Sequence, residues 1–320
     1  MNLISWVRQF FTWLWTNKSG LLIGLLSAVV FAFFIFPYDD LTDLISAQVS
    51  LRTRNQIYVE FERLKMSLFP QAGVQMDRVY LEAVNLPGLS AQSITITPAI
   101  AALFAQKPYG HVSAKGLLHG DVDVKVSGGT ASEKGTEMTG LDIQAQHLSL
   151  QDIRSLAKLP VLLKGQLDLK TAGQLDLAFA EQPDMELNLK INKFEMPPSN
   201  VPTPLGDITL PELKLSDLEV KGKLSAGRLL IENGRIGSAG DDLQGNVKGT
   251  IAMNVRNTPM GLVPEFGSYS LEIDLLPSPG FKSRAAFLLE ILSAYKTGDH
   301  IKFKASGSSF GLPPTMLPIR

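Results

Sequence analysis

The feature that most constrains the fold of this chain is an alternation of apolar and polar residues along much of its length. The alternating runs are 121–126, 166–170, 174–179, 186–192, 271–275 and 301–305. A period of two places successive side chains on opposite faces of a strand, so one face is apolar and the other polar. The pattern predicts a mainly β protein with an extended or curved antiparallel sheet.

Helical patterns are few and short. Residues 99–106 and 151–158 are candidates, and residues 283–296 form the clearest one in this part of the chain. In that last segment Ala285, Leu288, Leu289, Leu292 and Tyr295 follow a helical spacing, and Gly298 provides a stop. We therefore expect a sheet accompanied by a few short helices.

Glycine and proline divide the sheet-forming part of the chain. The steps Asn233–Gly234 and Gly128–Gly129 are typical of turns. A cluster of prolines predicts a linker over 196–204, between a first β-rich region, 53–195, and a second, 205–320; its members and neighbours are Pro197, Pro198, Pro202, Pro204 and Pro211.

An uncharged apolar run near the start predicts a membrane anchor. Residues 20–37 carry no charge, and about 20 apolar residues suffice to cross a bilayer. We assign the transmembrane helix to 19–38. A cleaved signal peptide is the alternative, but the apolar core is long and no small-residue cleavage site follows it directly.

The charges on either side of this run predict its direction. Arg8 and Lys18 precede it without any acid, whereas Asp39, Asp40 and Asp43 follow it. Because cationic flanks stay in the cytoplasm, the N-terminus faces inward and the bulk of the chain is exported. The predicted location is a bacterial inner membrane with a periplasmic domain.

The segments on either side of the anchor also carry patterns. The leader, 1–18, holds all three tryptophans, Trp6, Trp13 and Trp15, which is typical of an interfacial segment on the cytoplasmic leaflet. A disordered tail is the alternative. Residues 39–52 have a helical apolar face and acidic residues at their start, so we expect a linker helix there.

A Lys–Gly step recurs in the exported part, at Lys115–Gly116, Lys164–Gly165, Lys221–Gly222 and Lys248–Gly249. The first two steps follow similar units, each an alternating strand that leads into a short helix. Such a strand–helix–hairpin module cannot bury its apolar face alone and must stack on a neighbour. Coincidence in a glycine-containing β protein is the alternative.

Composition and motifs favour no catalytic site. The absence of cysteine excludes disulfides and thiolate chemistry, and a net charge of −1 gives no indication of nucleic acid binding. Gly307–Gly311 matches G-x-S-x-G around Ser309, but prolines follow it and no histidine lies beyond His300. His111 and His119 are eight residues apart, with no acidic or histidine partner at metal-site spacing. We therefore predict no enzyme, no catalytic, cofactor or metal residues, and no cofactor.

The order of these elements resembles a known family. The anchor ending in FPYDDL, the strands IYVEF and RLKMSLFP, and the segment SITITPAIAALFAQ resemble the entry region of AsmA-like periplasmic proteins. With the closing segments FKSRAAFLLEILSAY and HIKFKASGSSFGLP, the chain is similar to the long, AsmA-like branch of the type II secretion system protein N (GspN) family. The resemblance implies an inner-membrane accessory of protein secretion without assigned catalytic residues.

Three functions follow as hypotheses. The first is an accessory that binds other secretion-system proteins, to whose domains exposed strand edges, or the paired faces near 213–220, could add strands. The second is lipid handling, in which the apolar faces of AsmA-like repeats line an open groove instead of a closed core. The third, a hydrolase, rests on Ser309 alone. The partners expected are therefore a membrane, secretion proteins and lipid, and not nucleic acid.

Overall fold

The structure is a computed structural model. It describes residues 20, 22–24, 27–28, 31, 41–53, 55–67, 72–83, 86–99, 107, 109–131, 135–157, 159–203, 206–258, 261–309 and 312–319.

One large antiparallel sheet accounts for most of the described residues. Its strands run in the order β1-β3-β4-β5-β6-β7-β8-β9-β12-β13-β14-β15-β17-β16, with β2 beside β3 and β18 beside β17. The strands are β1 (Ile57–Glu60), β2 (Arg63–Ser67), β3 (Gly73–Ala83), β4 (Leu86–Pro98), β5 (Gly110–Leu117), β6 (Gly120–Ala131), β7 (Glu137–Ser149), β8 (Lys164–Leu175), β9 (Asp184–Met196), β10 (Ser199–Thr203), β11 (Gly206–Leu210), β12 (Leu213–Ser225), β13 (Arg228–Ile236), β14 (Leu243–Thr258), β15 (Gly261–Pro277), β16 (Lys296–Thr297), β17 (His300–Gly307) and β18 (Thr315–Pro318). The prediction of a mainly β, antiparallel protein is confirmed.

The alternating sequence explains the two faces of this sheet. In β9, Met185, Leu187 and Leu189 are half-buried, whereas the intervening Glu186 and Asn188 are exposed. Successive residues of a strand point to opposite faces. The apolar residues of β9 therefore share one face, and its charged residues share the other.

The sheet continues across the proline-rich segment. Strand β9 pairs directly with β12, and β10 and β11 between them form a separate two-stranded hairpin. The segment predicted as a linker, 196–204, includes β10. Strands from both predicted β-rich regions thus belong to one sheet.

The helices are short, as predicted. In the described part of the chain after residue 40 they are α1 (Leu41–Arg52), α2 (Leu150–Ala157), α3 (Pro279–Arg284) and α4 (Ala286–Ile291), followed by a 3-10 helix (Ser293–Tyr295). The helix predicted over 283–296 is therefore divided into several short helices. The first of them begins earlier than predicted, at Pro279, and is capped by the Ser278 hydroxyl, which accepts a hydrogen bond from the Phe281 amide. Most of the candidate helix 99–106 lies outside the described residues.

The Lys–Gly steps coincide with irregularities in strand pairing. The pairing register changes beside Lys115, Lys164 and Lys221. It also changes on β13, opposite Gly249. Gly116, Gly165 and Gly249 have positive φ, which glycine adopts without strain. The repeated step therefore marks β-bulges.

Two steps predicted as turns lie inside strands. Asn233–Gly234 belongs to β13 and Gly128–Gly129 to β6, and both lie at register shifts. That interpretation was wrong because a glycine within a strand also marks a bulge, which the sequence alone does not distinguish from a turn.

Two compact cores lie at opposite ends of the sheet. At the first end, Leu41 and Ile45 of α1 pack on the buried cluster of Phe61, Leu64, Val79 and Ala91. At the other end, Leu289, Leu292 and Tyr295 pack on the cluster of Tyr269, Ile301, Phe303 and Ala305. Helices therefore cover the sheet at both ends.

The predicted leader, 1–18, and most of the predicted transmembrane segment, 19–38, lie outside the described residues. Within the described part of the chain, no helix has the length and apolar character needed to cross a membrane. Gly20, the stretch 22–24, residues 27–28 and Phe31 are helical, and Leu22, Ile23 and Phe31 are exposed.

Candidate functional site

The register of the sheet aligns apolar residues into a continuous row. Residues directly opposite one another on neighbouring strands lie on the same face. The row crosses twelve strands, and we call it the central apolar row: Met76, Ile94, Ala114, Val122, Ala145, Leu169, Leu189, Val220, Gly234, Val247, Ile273 and Phe303. At about 4.8 Å per strand, it spans about 50 Å.

A second row runs beside the first on the same face. It consists of Val74, Ile96, Val112, Val124, Ile143, Thr171, Leu187, Gly222, Ile231, Gly249, Leu271 and Ala305. Thr171 is its single polar member. Together the two rows define the apolar face of the sheet.

The large side chains of the central apolar row are only half-buried. Between the two end cores this holds for Val122, Leu169, Leu189, Val220 and Val247, and the row members that are fully buried there are the small Ala114, Ala145 and Gly234. The inner residues of a closed β-sandwich interdigitate with a second sheet and are excluded from water. Among the described residues no layer of this kind encloses the row, so part of each large side chain is available for contact.

The opposite face is charged and carries ion pairs. Lys223 of β12 lies 3.3 Å from Asp184 of β9, and Lys221 lies 2.8 Å from Glu219 on the same strand; the side chains other than Glu219 are about half exposed. Exposed pairs of this kind contribute little to stability, about 0–1 kcal/mol each. This face is suited to solvent.

Both edges of the sheet are short and interrupted. At one edge, β1 and β2 pair with successive parts of β3, and at the other, β16 and β18 pair with successive parts of β17. Lys65 and Pro318 lie on these edge strands. Short, charged or proline-containing edges discourage the addition of another strand. The apolar face is therefore a better candidate for binding than either edge.

Three of the histidines lie beside aspartates. His111 Nε2 is 3.2 Å from Asp123, His119 Nδ1 is 2.6 Å from Asp152, and His300 Nδ1 is 2.7 Å from Asp274 (carboxylate oxygens in each case). The fourth, His147, donates its backbone N–H to Asp168. Within the described residues, no group of three or more His, Asp or Glu side chains is placed to hold a metal ion.

Asp274 forms the most connected of these pairs. It also accepts from Lys302, at 3.1 Å. Burial favours its neutral form, but the hydrogen bonds from His300 and Lys302 outweigh this effect and hold the pKa of Asp274 below its ordinary value of 3.8. The pair joins β15 to β17, so it supports the sheet near its second core.

The G-x-S-x-G segment lies between two strands. Gly307 is the last residue of β17, and β18 begins at Thr315. A nucleophile elbow requires a strand followed directly by a helix. The described residues around Ser309 do not have that arrangement.

Sequence patterns pointed to alternating strands but not to the continuity of the apolar face. That continuity depends on which strands are neighbours, and above all on the pairing of β9 with β12. One sequence signal could have indicated this continuity. On successive hairpins the apolar residues occupy matching alternate positions, which places them on the same face.

No protein-family model, no curated protein and no solved structure matches this chain.

Proposed function

We propose that this protein binds the acyl chains of lipids along the apolar face of its sheet and acts without catalysing a reaction. The observation that carries the proposal is the central apolar row, whose large members are half-buried over most of its length. Covering one such Leu or Val completely is worth about 1.5–3 kcal/mol relative to full exposure. A flexible hydrocarbon chain that covers these side chains gains part of this energy, and it does not need the shape complementarity that a protein partner would need.

The extent of the face favours lipid over a compact ligand. A contiguous apolar surface that is open to solvent is a candidate binding surface. The two rows contain Thr171 as their one polar side chain, so they offer almost no hydrogen bonds to a polar molecule. Acyl chains need no such bonds.

The proposal places the sheet on the outer side of a bacterial inner membrane. Its support is the uncharged run 20–37, the cationic Arg8 and Lys18 before it, and the acidic residues after it. A protein held at a bilayer has a source of lipid beside it. Reporter fusions after Tyr38 that were active only in the cytoplasm would overturn this orientation.

The test is native mass spectrometry of the full chain extracted from membranes. We expect bound lipid in the wild type and loss of most of it when Leu169 and Leu189 are both changed to Gln. Lys170→Gln with Lys190→Gln, one residue further along the same strands and therefore on the opposite face, is the matched control. Equal lipid in all three proteins, or none in the wild type, would refute the proposal.

A second candidate is the accessory role in type II secretion, by contact with other secretion proteins. It is favoured by the resemblance of the sequence and by the hairpin of β10 and β11, which does not join the large sheet. A two-stranded hairpin is marginally stable alone and gains from a partner. Deletion of residues 199–210 should then reduce secretion while lipid binding persists; normal secretion would remove this candidate.

A further inference from the structure

Helix α1 has an apolar side that is largely exposed in the described part of the chain. Leu44 is 59% exposed and Leu51 is 69% exposed, and Ala47 and Gln48 between them are exposed as well. These four residues follow the spacing i, i+3, i+4 and i+7, which places them along one side of a helix. We call them the outer stripe of α1.

The other side of α1 packs on the sheet. Leu41 and Ile45 contact the first core, and Met76 and Ile94 pack on the same core. Met76 and Ile94 are also the first two members of the central apolar row. The inner side of α1 therefore lies at the first end of that row, and the outer stripe is directed away from it.

The end of α1 is fixed to the start of β1. The Thr53 hydroxyl donates to the Val49 carbonyl at 2.7 Å and accepts from the Ile57 amide at 3.2 Å. Because this link and the first core both hold the helix, α1 cannot rotate to bury its outer stripe. Any covering of the stripe must come from outside the described part of the chain.

The few charges of α1 lie beside the outer stripe. Asp43 and Arg52 are the only charged residues among its twelve. At 3.6 residues per turn, Asp43 lies on one flank of the stripe and Arg52 on the other. A helix at a membrane surface has this arrangement, with its apolar side at the acyl boundary and its charged groups at the level of the headgroups.

The position of α1 in the chain identifies the covering surface. Only Asp39 and Asp40 separate Leu41 from the predicted transmembrane helix, 19–38. The three peptide units from Tyr38 to Leu41 span at most about 10 Å. The headgroup region extends about 5–7 Å beyond the hydrocarbon core on each side of a bilayer. Helix α1 therefore begins within or beside the headgroups.

We propose that α1 lies flat in the membrane interface, with its outer stripe among the upper acyl chains and its inner side on the first core. The inference rests on the proposed function for one element, the membrane anchor. Leu44 and Leu51 stand near opposite ends of the helix on the same side, so both reach the bilayer only when the helix lies along its surface. This placement holds the start of the central apolar row about one helix diameter, 10–12 Å, above the lipid.

The test reports the depth of α1 in a bilayer. Because the chain contains no cysteine, a single introduced one can carry an environment-sensitive fluorophore. Ala47→Cys places it on the outer stripe, and Ala286→Cys, an exposed alanine of α4, is the matched control. The full chain is reconstituted in phosphatidylcholine vesicles. We expect nitroxide-labelled phosphatidylcholine to quench the probe at position 47 several-fold more than at position 286, and aqueous iodide to show the reverse.

A second pair of variants tests the stripe itself. Leu44→Gln with Leu51→Gln should remove most of the lipid-phase quenching at position 47 and increase quenching by iodide, although the anchor stays in the membrane. Phe287 and Ile291 of α4 are 70% and 60% exposed at a spacing of four residues, so Phe287→Gln with Ile291→Gln is the matched control. This control should leave the signal at position 47 unchanged.

Equal lipid-phase quenching at positions 47 and 286, or no effect of changing Leu44 and Leu51, would overturn the inference. Protection of position 47 from both quenchers would overturn it too, because a protein or a second copy would then cover the stripe. Either result with lipid still bound at Leu189 would leave the proposed binding along the sheet intact. Deep quenching at position 47 without lipid at Leu189 would refute that binding and retain this placement of α1.

Discussion

Leu189 of β9 lies directly opposite Val220 of β12, although the chain leaves the sheet between them to form a separate hairpin. Because of this pairing, the apolar residues before and after the proline-rich segment belong to one face. If β9 and β12 were edges of two sheets, each half would have its own core. The proposed binding of lipid along the sheet depends on the continuity that this pair provides.

Lipid should stabilise the protein through the apolar face. A ligand that binds only the folded state adds stability, about 2.7 kcal/mol at a hundred times its Kd. We expect the melting temperature of delipidated protein to rise when oleate is added, and to rise much less in Leu189→Gln. Circular dichroism melts measure this, and an equal rise in both proteins would contradict it.

The second core should respond to truncation far more than the helix surface beside it. Phe303 is 7% exposed and packs near Tyr295, with ring centroids 5.7 Å apart, whereas Phe287 of α4 is 70% exposed. Phe303→Ala should lower the free energy of unfolding by about 3–5 kcal/mol because it opens a cavity. Phe287→Ala should change it by less than about 0.5 kcal/mol. Urea unfolding monitored by circular dichroism measures both changes. Similar losses of stability in the two variants would contradict the burial of Phe303 in the second core.

The bulge glycines should be sensitive to a single methyl group. Gly249 has φ +145°, and a Cβ atom there would lie 2.1 Å from the Ser270 carbonyl oxygen. Gly249→Ala should therefore cost at least about 1–3 kcal/mol of stability. At Gly128 a Cβ atom would meet nothing closer than 3.5 Å, so Gly128→Ala is the control. Equal melting temperatures for the two variants would count against the bulge at Lys248–Gly249.

Asp274 should make stability depend on pH in the acid range. Its pKa is lower in the folded protein than its ordinary value of 3.8, so the folded state favours the carboxylate. The resulting stability is present above the unfolded pKa and is lost as pH falls through the folded pKa. Asp274→Asn should therefore reduce the difference in urea midpoint between neutral pH and values below about pH 4. Parallel midpoint curves for wild type and variant would exclude this role.

The fold class could be predicted from the sequence because alternation is a local property. The runs at 166–170 and 186–192 became the neighbouring strands β8 and β9, with the expected half-solvated face. Helices α1 and α2 also lie within or next to the predicted segments 39–52 and 151–158. In each case the residues that determine the element are neighbours in the chain.

Structural features that depend on residues far apart in the chain could not be predicted from local sequence patterns. The prolines around 197–211 predict a break in the chain, yet the chain returns to pair Leu215 with Phe194. Local propensity describes the hairpin of β10 and β11 but not the strand partners on either side of it.

The central claim is that the apolar face is open and occupied by lipid, and photocrosslinking in living cells tests it most directly. A photoreactive benzoylphenylalanine is introduced at Leu189, on the central apolar row, or at Lys190, the next residue on the opposite face. We predict that irradiation attaches lipid at Leu189 and not at Lys190. Crosslinks at Leu189 only to protein, or equal lipid labelling at both positions, would contradict it.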